Sequence, residues 1–300
     1  MPQLTLKCCV SKETIKRSYR QYEDWEKRRF TDPDRVKIDI KNENSLWQLG
    51  ILALLYEATS EKKAETNFER IRNKELLVNP KEIWNLAKDC KCPFLLESNR
   101  VTFCDYSKND GKCPEPYYSK SFQDCPVPRV THLINRMATI SKSIVSFAIL
   151  LKEFNFNFDD LYNIVQKMPK NKRTQKILDL FTMVLGEKTA HLFLGWVSNP
   201  IYNGVFGIDK PWWNLNYNTF LAINSHITQV ADRIELCRSK NTSVIRANLR
   251  ELQEKTGLQN SKVLELALLN VGQKYCTKDK KKQKCDSCHF KVRAPKTMIS

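Results

Sequence analysis

The sequence contains little glycine and no long apolar run. Only 8 of its 300 residues are glycine, and few segments alternate apolar and polar residues as half-buried strands do. No uninterrupted apolar segment approaches the roughly 20 residues of a membrane-spanning helix. Basic residues interrupt the N-terminal segment where a signal peptide would have its apolar core. We therefore expect an intracellular, all-α protein without a membrane partner.

Acidic residues are also in deficit. The chain has 50 Lys+Arg against 33 Asp+Glu, a formal net charge of +17, and such a field favours polyanions, nucleic acid above all. In an intracellular protein the 11 cysteines are better interpreted as thiols and metal ligands than as disulfides. The length exceeds that of a usual single domain, so two lobes are expected.

A cysteine loop near the C-terminus indicates a metal. Cys276, Cys285 and Cys288 enclose a lysine-rich segment, and the spacing of the last two lets both thiolates reach one tetrahedral centre. The alternative is a solvated basic tail with incidental thiols. The enclosed lysines, which we expect to meet phosphate, are Lys278, Lys280, Lys281, Lys282 and Lys284.

A second cysteine-rich region runs from Cys90 to Cys125. It holds five cysteines interleaved with prolines, and prolines at that density prevent long helices. We predict an irregular insert. It either holds a second metal or is a long loop with several reduced thiols, because its spacings fit no standard zinc pattern.

Two helices are predicted in the C-terminal part. Ser243 can cap a helix that stops at Gly257, and Ser261 can cap the next, which would run to Gly272. Asn241 begins a glycosylation sequon, which we interpret instead as a helix cap.

Four segments carry a resemblance. They are the nearly all-round apolar Ser45–Thr59, then Gly186-Glu-Lys-Thr-Ala190, then Ala222-Ile-Asn-Ser-His-Ile-Thr-Gln-Val230, and last Gly272-Gln-Lys-Tyr-Cys276 with the two later cysteines. In this order they resemble the helix-hairpin-helix DNA glycosylases of the endonuclease III superfamily. The segments look like that family's first core helix, the second half of its hairpin, its aspartate-bearing segment and its iron–sulfur loop.

The resemblance implies a two-lobed all-α fold. Residues 43–218 would form a helical lobe with the hairpin and an insert at about 90–128, and residues 1–42 plus 219–300 a cluster lobe. Double-stranded DNA with a flipped lesion base would lie across the cleft between the lobes of a monomer. The implied function is removal of a damaged or mismatched base by N-glycosidic cleavage, with lyase action on the abasic site. A non-catalytic nucleic-acid-binding relative is the alternative.

The hairpin segment supplies candidate residues. A helix that opens after Gly186 points backbone N–H groups outward, a ready site for a DNA phosphate, and Thr189 would join that contact. Lys188 lies in the first helical turn, where the helix dipole disfavours its charge. By resemblance it attacks the sugar C1′ and forms a Schiff base; its alternative is an ordinary surface lysine. The family has a second glycine, which is replaced within Thr182–Leu185.

Asn224 stands where the family has a catalytic aspartate. An amide carries no charge and cannot act as a base. Three explanations remain: an engineered inactivation, a catalytically silent relative, or a carboxylate drawn from elsewhere, with Asp209 the best substitute. Asp232 lies two helical turns beyond and is expected to be out of reach. His226 is expected to be structural.

Aromatic residues suggest a base pocket. Trp212 and Trp213, in the insert Trp196–Asn216, could stack an extruded base or could bury that insert. Tyr56 and Glu57 lie near where family members place polar groups that enter the opened duplex. Glu57 would present a negative charge to DNA, which suggests altered lesion choice.

The cluster loop lacks a ligand. Family loops have a fourth cysteine, but none occurs in His289–Ala294. A four-iron four-sulfur cluster would need another ligand, for which Cys8 or Cys9 are candidates, with His289 or an insert thiol as alternatives. Without one, the alternatives are a labile cluster and a zinc site.

Overall fold

In the computed structural model, the regular secondary structure of the described residues is helical. No strand occurs there, so the all-α prediction is confirmed. None of the described helices is long and apolar enough to cross a membrane. The described residues are 12–27, 38, 44–72, 79–88, 126–127, 130, 138–199, 215–233, 236–258 and 260–274.

The chain divides into two compact units. The hairpin unit is Arg29–Tyr217, and the terminal unit combines Met1–Arg28 with Asn218–Ser300. The helices of the hairpin unit are α2 (Ser45–Ala58), α3 (Glu61–Arg72), α4 (Pro80–Ala87), α5 (Ala138–Lys152), α6 (Phe158–Gln166), α7 (Lys170–Leu185) and α8 (Glu187–Val197). Those of the terminal unit are α1 (Lys12–Lys27), α9 (Ser225–Arg233), α10 (Thr242–Thr256) and α11 (Ser261–Lys274).

Aromatic side chains fill the core of the hairpin unit, where α2, α5, α7 and α8 pack together. Phe147 stacks on Trp47 with ring centroids 5.0 Å apart, and it contacts Phe181 and Phe193 edge-on, each at 5.9 Å. A Cβ at Gly50 would lie 2.3 Å from the Phe147 ring, so this glycine lets α2 approach α5. The apolar α2 segment is therefore the core helix that its sequence predicts.

The terminal unit packs α11 against α1, α9 and α10. Its core is aliphatic and includes the one described cysteine, Cys237, which is buried. The hydroxyl of Tyr19 in α1 accepts a hydrogen bond from the Asn260 N–H at 3.1 Å. This bond ties α1 to the start of α11.

Asparagines cap the two C-terminal helices. Asn241 Oδ1 accepts the Ser243 N–H at 2.9 Å, so α10 begins at Thr242, the predicted Asn241 cap is confirmed, and the prediction that Ser243 is the cap is wrong. The predicted end at Gly257 is confirmed, with φ +68°. Asn260 likewise accepts the Lys262 N–H at 3.0 Å. Asn260, and not the predicted Ser261, is therefore the cap of α11. Each asparagine stands one residue before the first helical turn, where a short side chain with an acceptor oxygen can reach the N–H groups of that turn.

Gly272 does not end α11. The helix continues to Lys274, and a Cβ at Gly272 would lie 2.8 Å from the His226 Cβ and 3.0 Å from its carbonyl oxygen. The prediction of a helix end there is wrong, because this glycine serves the close approach of α11 to α9. His226 thus packs against α11 through its backbone and Cβ, and its structural role stays a prediction.

Candidate functional site

A single residue, Gly186, joins α7 to α8. Its φ of +81° and ψ of +156° lie in a region that only glycine adopts readily. Its N–H donates to the Thr182 carbonyl at 3.0 Å, and its own carbonyl accepts from the Ala190 N–H at 2.9 Å. The predicted helix start at Glu187 is thus confirmed. Because α7 is helical through Leu185, Gly186 alone separates the two helices.

The start of α8 has no cap from its own chain segment. Gly186 is exposed and has no side chain that could accept the N–H groups of the first turn. Such groups lack acceptors within a helix and, with the helix dipole, favour a negative charge at this end. Lys188 is the second residue of α8 and is half-buried. Among the described residues its ammonium group has no ion pair.

Thr189 faces the interior instead of solvent. It is fully buried, and its hydroxyl donates a hydrogen bond to Glu57 Oε2 at the end of α2. A phosphate could therefore meet Thr189 only through its backbone. The bond also places a carboxylate beside the first turn of α8, where it offsets part of the positive helix end.

Tyr56 is restrained on two sides. Its hydroxyl donates to Glu65 Oε1 at 2.6 Å, and its ring meets Trp196 edge-on with centroids 5.5 Å apart. Trp196 itself lies in α8 and is fully buried. Tyr56 and Glu57 are thus both engaged by neighbouring helices of the hairpin unit.

Asn224 closes the start of α9 in the terminal unit. Its side-chain Oδ1 accepts from the N–H groups of His226 at 2.9 Å and Ile227 at 3.0 Å. Its backbone carbonyl accepts from the Thr228 N–H at 2.9 Å. An aspartate oxygen could make the same bonds, since Asn and Asp are equally good caps. The side chain is half-buried, and its amide nitrogen is not used in the cap.

Two buried charged side chains hold the segment that leads to Asn224. Glu265 of α11 accepts the Ala222 N–H at 2.8 Å, and the Arg246 Nε of α10 donates to the Leu221 carbonyl at 2.8 Å. Both side chains lie almost wholly in the interior. The backbone just before Asn224 is therefore fixed by groups from two helices.

Glu265 forms a buried ion pair with Lys262. The Lys262 Nζ lies 2.8 Å and 2.9 Å from the two carboxylate oxygens. Burial raises the pKa of Glu265 above its ordinary value, Lys262 and the Ala222 N–H oppose that rise, and the like charge of Glu26 adds to it. Both carboxylate oxygens are engaged, so Glu265 is not available to replace a carboxylate at position 224.

The other candidate residues lie outside the described part of the chain. They are Asp209, Trp212, Trp213, Cys8, Cys9, Cys276, Cys285, Cys288 and the five loop lysines, together with the Cys90–Cys125 insert. Among the described residues no group of His, Cys, Asp and Glu could hold a metal. Asp232 is exposed on α9.

Sequence reasoning missed the buried pair and the Thr189–Glu57 bond. Lys262 and Glu265 stand three residues apart, which usually marks a solvent-exposed pair on a helix. The only signal was the apolar character of the rest of α11, which is buried on most sides. The Thr189–Glu57 bond joins residues 132 positions apart, and no local pattern reports such a pairing.

Comparison with protein-family models, with curated proteins and with solved structures finds no match for this chain. The resemblance to the glycosylases therefore rests on the four sequence segments alone. It stays a prediction about the family.

Proposed function

We propose that the protein binds double-stranded DNA and removes a damaged or mismatched base by cleaving its N-glycosidic bond, with lyase action through Lys188. The observation that carries the proposal is the start of α8. At this junction Gly186 and Glu187 are exposed, and the second residue of α8 is a half-buried lysine without an ion pair among the described residues. The net charge of +17 supports a polyanionic partner.

The proposed chemistry balances with Lys188 as nucleophile. Its neutral amine attacks the sugar C1′, the bond from C1′ to the base nitrogen breaks, and the base leaves with the electron pair and one amine proton. The second amine proton passes to the ring oxygen as the sugar opens to a Schiff base. Elimination then transfers a C2′ proton to water and breaks the C3′–O bond, and the phosphate leaves with the electron pair, which cuts the strand.

A carboxylate would assist this reaction by stabilising the cationic sugar, and Asn224 cannot do so. Its cap is compatible with either residue, because aspartate offers the same acceptor oxygen. The wild-type protein would therefore depend on Asp209, or would act slowly. These proposed roles rest on the family resemblance of the segments that contain Lys188 and Asn224.

A cluster is proposed for the C-terminal cysteines. Cys276, Cys285 and Cys288 supply three thiolates, a donor set that suits a four-iron four-sulfur cluster or zinc if a fourth ligand such as Cys8 or Cys9 completes it. The cluster would fold the lysine-rich loop. Anaerobically purified protein should contain iron and sulfide; stoichiometric zinc without iron would contradict the cluster.

A non-catalytic DNA-binding relative is the second candidate. The favouring observation is that Asn224 Oδ1 is occupied by two backbone N–H groups. The Glu57 carboxylate beside α8 also favours this alternative, because its charge would repel a phosphate. In this alternative both helix starts serve structure and binding.

Borohydride trapping separates the two candidates. Wild-type protein is incubated with a duplex that contains one abasic site, and reduction should leave the protein covalently attached to the DNA through Lys188. Lys188→Arg, which keeps the positive charge, should bind the duplex but not be trapped. Lys62→Arg, at an exposed lysine of α3, is the matched control and should be trapped normally. Equal trapping of Lys188→Arg would rule out Lys188 as the nucleophile, and absence of trapping in all three favours the binding relative.

A further inference from the structure

The connection between α6 and α7 carries a concentrated positive charge. Four exposed lysines lie within ten residues, and no acidic residue interrupts them. We call them the lysine patch: Lys167, Lys170, Lys172 and Lys176. None of the four has an ion pair with a described residue.

The chain segment beneath the patch is held rigidly. Arg173 donates from Nε to the Met168 carbonyl at 2.8 Å and from Nη1 to Gln166 Oε1 at 2.7 Å. The guanidinium of Arg173 thus holds the turn between α6 and α7 by hydrogen bonds. The backbone that carries the lysines is held by these bonds, and the lysine side chains extend into solvent.

The arrangement opposes helix stability. Lys170 and Lys172 lie in the first turn of α7, where the helix dipole disfavours cations. Lys172 and Lys176 stand at i, i+4 and repel each other. By contrast, α6 has Asp159 and Asp160 in its first turn, which is the favourable arrangement. An external anion would relieve the repulsion in the patch.

Double-stranded nucleic acid fits the patch better than a lipid surface does. A membrane-surface helix needs an apolar face that remains free for the bilayer. Five apolar residues of α7 are buried in the hairpin unit: Ile177, Leu178, Phe181, Val184 and Leu185. The half-buried Leu180 and the exposed Met183 lie in the second half of α7, beyond the patch. The exposed surface of the first half of α7 is therefore charged and has no apolar face for a bilayer.

We infer that the lysine patch is a second contact surface for the phosphates of a DNA duplex. It covers the start and the first half of α7, so its distance from Gly186 along the helix runs from about 15 Å at Lys176 to about 24 Å at Lys170. A duplex along α7 would cover the longer distance with roughly seven base pairs. The inference shares with the proposed function only the choice of DNA as partner, and it does not depend on catalysis.

The test compares two variants with the same change in charge. The patch variant replaces Lys167, Lys170, Lys172 and Lys176 by glutamine. The control variant replaces Lys62 and Lys63 of α3, Lys81 of α4 and Lys88 just after α4, which are exposed in the same unit. The binding of a duplex of about 30 base pairs, roughly three helical turns, is measured by fluorescence anisotropy over a series of salt concentrations.

The patch variant should lose affinity on every duplex sequence, and its log–log salt slope should fall by about 2 or more if at least two lysines contact phosphates. The control variant should show a smaller loss of affinity and a smaller fall in the salt slope. Thermal unfolding should show an unchanged or higher melting temperature for the patch variant, because the repulsion is removed. If the fourfold variant fails to fold, the pair Lys172→Gln and Lys176→Gln is compared with Lys62→Gln and Lys63→Gln in the same way.

Equal slopes and affinities for the patch and control variants would overturn the inference while leaving the proposed function intact. Wild-type protein that binds no duplex would overturn both. Loss of binding to phosphatidylserine vesicles with unchanged duplex binding would assign the patch to a membrane surface and overturn the inference. A loss of base excision alone does not bear on it.

Discussion

The starts of α8 and α9 differ in what accepts the N–H groups of the first helical turn. Gly186 has no side chain to accept the first-turn N–H groups of α8, whereas Asn224 accepts two of them at α9. The start of α8 has no side-chain cap, and the Glu57 carboxylate nearby is a partial compensation. The start of α9 is closed from within. A residue at a proposed site can thus have a complete structural role, and experiments must change its charge without changing its hydrogen bonds.

The largest effect is expected where buried charges support the start of α9. Glu265→Leu should lower the free energy of unfolding by about 3–5 kcal/mol, because it leaves Lys262 charged and unpaired in the interior. The double variant Glu265→Leu and Lys262→Met should recover most of that loss. Urea denaturation measures both. If Glu265→Leu alone were as stable as the double variant, Glu265 and Lys262 would not be energetically coupled, contrary to what their short distances imply.

The junction before α8 should be the next most sensitive. Gly186→Ala should cost about 1–3 kcal/mol, because alanine is strained at this φ and ψ. A Cβ meets nothing within 4 Å at Gly186 or at Gly257, so Gly257→Ala is a control for purely backbone effects, with an expected cost of about 1–2 kcal/mol. Thermal or urea unfolding gives the comparison. A Gly186→Ala protein with wild-type stability would mean that the junction has another conformation in solution.

The cap at Asn224 allows a finer comparison. Asn224→Ala should cost about 1 kcal/mol of stability, and Asn241→Ala, at the start of α10, should cost a similar amount. Asn224→Asp should keep the cap and gain up to about 1 kcal/mol from the helix dipole. The order of unfolding free energies, Asp above Asn above Ala, is the expected result. Destabilisation by Asp would show that the environment of residue 224 rejects a negative charge.

The smallest expected effect is a pH dependence from Glu265. Its pKa is raised by burial, so the folded protein binds a proton more readily than the unfolded chain. That contribution to stability is present below the ordinary value of 4.5 and is lost as the pH rises through the folded-state pKa. The stability of wild type relative to Glu265→Gln should therefore fall with rising pH across this window. A constant difference would argue that Glu265 titrates normally.

The sequence predicted the elements whose cause is local. α2 was predictable because apolar residues occur on all its faces, and the ends at Gly186 and Gly257 because glycine adopts a positive φ there. The predicted helix end at Gly272 was wrong, because a glycine is needed there for the close approach of the His226 backbone on another helix. The caps at Asn241 and Asn260 compete with serines two and one residues later, and the pattern alone did not choose between them. The Glu265–Ala222 bond depends on the packing of α11, which no local spacing encodes.

The most direct test of the account is base release by Asn224→Asp. Because aspartate preserves the cap, the substitution adds a charge at a fixed position and little else. On a panel of duplexes with single lesions, base release should rise by a factor of about 100 or more, as expected for a group that stabilises a cationic transition state by roughly 3 kcal/mol. Lys188→Arg in the same background should abolish strand cleavage while duplex binding persists. An Asn224→Asp protein that is stable, binds duplex DNA and releases no base from any lesion would contradict the glycosylase proposal and leave a DNA-binding protein in its place.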